Sequence, residues 1–150
     1  MSTHATSAPA TSVATESRGL LRATAVTAAV ALAATLIIRA IATAISDVPD
    51  RFTPLQPGSV VFMTILGVLL AAGFYGLLRS RVADPADTFR KVVPVAAAIS
   101  LIPDVLIWAN DAYQGAAEAE TVLPLMAMHV AAATACAVLL PKPASRRQSA

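Results

Sequence analysis

SVVFMTILGVLLAAGFYGLL, residues 59–78, runs for twenty residues without a charge. A helix of that length covers about 30 Å at 1.5 Å per residue, the hydrocarbon thickness of a bilayer. The run does not alternate apolar with polar residues, as a lipid-facing barrel strand does over about ten residues. It therefore reads as a transmembrane helix, because a helix alone satisfies its own backbone polar groups in lipid.

Three further stretches follow the same pattern. Residues 20–45 are apolar and rich in alanine, interrupted by Arg22 near the start and Arg39. Residues 92–109, VVPVAAAISLIPDVLIWA, carry Pro94 early, Pro103 inside and Asp104 just after it. Residues 121–140, TVLPLMAMHVAAATACAVLL, contain Pro124 and His129, and Pro141 and Pro143 stop the run. The expected fold is all-α: one four-helix transmembrane bundle over residues 20–141. A disordered Ser/Thr/Ala-rich tail is expected over residues 1–19, and a short basic tail over residues 142–150. Ala42-Thr43-Ala44 looks like a leader cleavage site, but Arg39 within the apolar run argues that this first span is retained.

Composition agrees. Hydrophobic residues make up 57% of the 150-residue chain and charged residues 13%, with a mean hydropathy of +0.69. Such a chain has too little charge to cover a soluble globule. A net charge of +2, scattered along the sequence, leaves no nucleic-acid footprint. The single cysteine, Cys136, allows no intramolecular disulfide and reads as a small packing residue.

Basic residues set the orientation. Arg18, Arg22, Arg79, Arg81, Arg90, Lys91, Lys142, Arg146 and Arg147 fall on one side of the four spans, nine of the eleven Lys and Arg. Only Arg51 falls on the other. The positive-inside rule places both termini and the middle loop in the cytoplasm of a cell whose plasma, or inner, membrane the bundle spans. Trp108 and Tyr113 are expected as aromatic anchors at the outer interface, and Tyr75 at the inner one. The loop over residues 46–58, with Pro49, Pro54 and Pro57, is expected to be extended and semi-rigid.

Ionisable groups inside a span cost roughly 2.5–3.5 kcal/mol each on insertion scales, so each requires a reason. Arg39, Asp104 and His129 all fall about 8–12 Å below the outer surface, counted along their helices. They form the candidate intramembrane polar site. Arg39 and Asp104 have opposite charge at matched depth, and each lies on the more polar stripe of its helix: Thr35, Arg39, Thr43 and Ser46 in the first, Ser100, Asp104 and Asp111 in the third. An Arg39–Asp104 ion pair facing the bundle interior is the expectation. Its alternative is Arg39 reaching to the headgroups on its own. Asp87 is expected to cap the third helix. No GxSxG, HExxH, P-loop, GxGxxG or CxxC pattern occurs, so no catalytic residue, metal site or cofactor is assigned.

The Ser/Thr-rich tail, the segment GLLRATAVTAAVALAATLIIRAI, the proline-rich outer loop, the RSR cluster and the last span LMAMHVAAATACAVLLP carry a likeness. Over residues 20–141 the chain resembles an uncharacterised family of small four-span bacterial membrane proteins without an assigned function. That resemblance implies a fold and a location, and no activity.

Two function classes are open from sequence. The first is a structural or accessory membrane protein that packs on itself, as a homo-oligomer, or on a membrane partner. Its small residues at four-residue spacing, such as Gly67 and Ala71, Ala72 and Gly76, and Ala127, Ala131 and Ala135, would let helices approach closely. The second is a small transporter or ligand-binding bundle using Arg39, Asp104 and His129. The lipid bilayer is the one partner both require, and neither involves nucleic acid.

Overall fold

The computed structural model describes residues 10–110 and 117–141, with side chains from Arg18 onward. Five α-helices and one short 3-10 turn make up these residues: α1 (Ala10–Ile45), the turn Thr53–Leu55, α2 (Pro57–Arg81), α3 (Pro85–Ser100), α4 (Ile102–Ala109) and α5 (Ala119–Leu139). With α3 and α4 taken as one broken span, four helical segments are long and apolar enough to cross a membrane.

The pattern of burial argues for lipid independently of length. The buried positions of α1 are Ala23, Thr27, Ala31, Thr35 and Ala42, whereas Leu21, Val26, Val30, Ile37, Ile41 and Ile45 face outward. A helix packed in water would hide the large apolar residues and expose the small polar ones. Here small residues form the seams, because in hydrocarbon the gain comes from close backbone approach rather than from burying leucines. Thr24, Thr27 and Thr35 bond their hydroxyls to α1 carbonyls Leu20, Ala23 and Leu32 (2.9, 2.8 and 3.2 Å), so they enter the seams satisfied.

α1 packs between α2 and α5. Leu20 of α1 meets Gly76 of α2, where an added Cβ would come 3.4 Å from Leu20 Cδ2. Further along, the Thr35 and Thr64 hydroxyls lie 3.3 Å apart across the same seam. α1 and α2 are thus antiparallel, and Arg22 lies at the same end of the bundle as Arg79 and Arg81. That end is closed by Ala31, Val68, Ala72, Tyr75, Leu78, Phe89, Ala135, Cys136 and Leu140. The other end, the loop end, is closed by Phe52, Leu55, Val60, Ala117, Val122 and Met128.

Several local features depart from the sequence expectations. The expected tail, residues 1–19, is helical from Ala10 onward, since an alanine-rich segment extends a helix once an apolar span has nucleated it. Residues 1–9 and the basic tail 142–150 lie outside the described residues. The cap of α3 is Asp84, not Asp87: Asp87 N–H donates to Asp84 Oδ1 at 3.0 Å, and Pro85 occupies the first turn. Asp87 instead pairs with Lys91 one turn on, at 2.6 Å. The loop over residues 46–58 is not simply extended. It folds a 3-10 turn that buries Phe52 and Leu55 against the bundle, after which α2 begins at Pro57.

Candidate functional site

Pro103 creates the site. It has no N–H, so Ile99 loses its helical donor and α3 stops at Ser100. Leu101 N–H tightens onto the Ala98 carbonyl at 3.2 Å, and the Ser100 hydroxyl donates to Ala97 O at 2.7 Å rather than to Ile99. α4 restarts at Ile102, which puts Asp104 in its first turn. A carboxylate is favoured there by the unpaired N–H groups of a helix start.

The break also steers α4. At the arginine end α3 packs on α2, where Phe89 meets the Tyr75 ring edge-on at 5.1 Å and Phe74 at 6.2 Å. α3 packs on α5 as well, and α4 continues on α5 away from α2. α2 and α4 therefore stand apart above the aromatic contact and leave a groove of about 680 Å³. Its walls are largely apolar, from Met63, Leu66 and Leu70 of α2 across to Ala96 and Pro103. Thr35, Thr53, Ser59, Thr64, Ser100, Asp104 and His129 supply its polar lining.

Asp104 is 3% exposed, the one buried acid among the described residues. His129 of α5 brings Nδ1 to 3.0 Å from Asp104 Oδ2. The same nitrogen lies 3.1 Å from the Leu125 carbonyl, one turn back on α5. A carbonyl only accepts, so that bond requires a proton on Nδ1 and directs it along the helix. Asp104 Oδ2 is then left close to the imidazole but without a well-aligned hydrogen bond. The 3.0 Å approach is a charge-to-ring proximity, and Oδ2 keeps an open acceptor position.

Of the three expected site residues, the structure brings two together. Asp104 meets His129, and both line the groove. Arg39 does not pair with Asp104. Its Nε donates to the Leu55 carbonyl at 2.8 Å, tying α1 to the 3-10 turn. The reason is local: the turn carries an acceptor to the half-buried guanidinium, and an Arg–carbonyl bond needs no second helix at the right azimuth. Arg39 thus serves the loop end of the bundle and lies outside the groove. Among the residues expected as anchors, Trp108 is exposed on α4. Tyr75 sits one turn before Arg79 but is buried against Phe89 rather than laid on the lipid surface. Tyr113 falls outside the described residues.

Sequence reasoning missed the groove wall made by Gly67, Ala71, Ala96, Ala97, Ala132 and Ala133. The signal was present as a cluster of small residues on three spans, but small residues also mark tight seams, and only the direction of α4 separates the two. Cys136 also lines the groove at its closed end, buried with the core cluster. Among the described residues no three His, Cys, Asp or Glu side chains converge as a metal site would require.

Four apolar spans with small-residue seams, an outward-facing apolar shell and a groove between two of them define a multi-pass membrane protein built as a helical bundle. No curated protein and no solved structure matches the chain. A family model does match it, over residues 15–146, and the chain belongs to that Family of unknown function (DUF6069).

Proposed function

We propose that the protein is a plasma-membrane bundle, with both termini cytoplasmic, that binds a membrane-dissolved amphiphile in the lateral groove between α2 and α3/α4. The observation that carries this reading is the buried Asp104 on the wall of a largely apolar groove. A carboxylate kept out of water next to hydrocarbon is costly, and such a group is a functional-site candidate by default. A volume of about 680 Å³ is within the ordinary range for small-molecule pockets. With nine of eleven basic residues on the other side, the groove opens in the outer half of the bilayer. Entry is sideways, past Met63 and Leu66, which are exposed on α2.

The accessory reading, in which the bundle packs on a partner through small-residue faces, has less support. Ala31, Ala72 and Ala135 are consumed inside the bundle, and Gly76 already faces Leu20 of α1. Gly67 and Ala71 remain open, but on the groove, which leaves exposed Ala127 and half-buried Ala131 of α5 as the small-residue face for a partner.

Fluorescence quenching by brominated acyl chains tests the groove. With Trp108→Phe as background, Ala97→Trp places an indole on its wall, and Ile37→Trp places one on the exposed face of α1. Both should be quenched by brominated lipid to a similar degree. Quenching at position 37 with none at position 97 would mean that the groove is closed to the membrane, and the reading would fail.

A further inference from the structure

We infer that the ligand of this groove carries a basic nitrogen, and that its ammonium group meets the Asp104 carboxylate while its hydrocarbon part lies along α2. The inference rests on the reading of the groove as an amphiphile site. It adds the chemical class of the ligand.

The argument is a count of donors. Asp104 Oδ2 is buried and has no hydrogen-bond donor. His129, the nearest ring, directs its Nδ1 proton to Leu125 O. The Ser100 hydroxyl donates to Ala97 O. The Thr35 hydroxyl donates to Leu32 O and lies against that of Thr64. Arg39, the cation within the apolar part of α1, is turned to Leu55 O. These donors are committed elsewhere, so Oδ2 faces the His129 ring at 3.0 Å without a hydrogen bond from it and keeps an open acceptor position.

A ligand that completes the site must bring both a donor and positive charge. An ammonium brings up to three N–H donors and a charge of the right sign. An alcohol brings one donor and no charge. A carboxylate or phosphate headgroup would place like charge against Asp104. The walls of Met63, Leu66, Leu70 and Ala96 offer only dispersion contact, which suits an alkyl or aromatic tail.

The test uses the full chain in nanodiscs and radiolabelled dodecylamine, with empty nanodiscs measuring simple partition into lipid. The expected result is saturable binding at one site per chain. Unlabelled dodecylamine should displace the label at concentrations at least about tenfold lower than dodecanol of the same chain length. Asp104→Asn, which keeps the shape and removes the charge, should weaken dodecylamine binding by about tenfold or more, a loss of about 1.4 kcal/mol. Equal displacement by dodecanol and dodecylamine in the unaltered protein would overturn the amine assignment and leave the groove standing. So would unchanged binding by Asp104→Asn. Should that variant fail to fold, the competition in the unaltered protein decides by itself. If neither compound binds saturably, the groove reading falls and the assignment falls with it.

Discussion

Ala31→Leu puts a branched side chain into a fully buried seam of the bundle. Ala31 is fully buried, and Val68, Ala72 and Ala135 belong to the same packed cluster. Overpacking a core of this kind costs about 1–3 kcal/mol, through displaced backbones and poor rotamers. In water, part of that cost would be offset by the added apolar burial. In a bilayer it is not, because lipid solvates leucine as well as the bundle does. The expected loss is therefore near the upper end, about 3 kcal/mol. Val30→Leu is the control: Val30 is 46% exposed on the lipid face, so its replacement should stay within about 0.5 kcal/mol. The assay is reversible unfolding in mixed micelles, titrated with a denaturing detergent and followed by Trp108 fluorescence. If Val30→Leu were the damaging change and Ala31→Leu the silent one, α1 would have to be rotated by about 100°, one residue, from the face described here. The seam, and with it the account of α1, would then be wrong.

Phe89→Ala removes the aromatic contact that closes the groove at the arginine end, and should cost about 3 kcal/mol in the same titration. Arg39→Met loses the 2.8 Å bond to Leu55 O, for about 1 kcal/mol given the half-buried position. Combined with Asp104→Leu it should be additive within about 0.5 kcal/mol, since the two residues do not touch; a coupling well above that would restore the ion pair between them. Reporter fusions after Arg81 and after Gly115 should give opposite signals, cytoplasmic at the first and outer at the second. A cytoplasmic signal at both would remove the orientation on which the outer-leaflet groove depends.

The spans could be read from sequence because each is a continuous apolar run, and length alone decides whether such a run crosses a bilayer. That Asp104 and His129 share a level in the bundle could be read too, by counting residues along their helices. Their partners could not, because depth does not give azimuth. Arg39 illustrates this: its acceptor is a carbonyl in the 3-10 turn, and that turn exists only because Phe52 and Leu55 fold back onto the bundle. Nothing in the spacing of Pro49, Pro54 and Pro57 says that they will. Pro103 was visible as a break, but the course of α4 after it, along α5 and away from α2, is set by tertiary packing that spacing does not show. The groove is the consequence of that course, so the sequence showed its small and polar residues without showing that they surround a space.

The most direct test of the groove is to ask what touches its rim. Met63 is 62% exposed and lines the opening. A benzophenone amino acid at position 63, illuminated in native membranes, should yield monomeric protein whose mass spectrum carries acyl-chain or other small amphiphile adducts. A crosslinked dimer or a protein–protein adduct as the main product would contradict the account, because the space between α2 and α4 would then be covered by another chain rather than open to the bilayer.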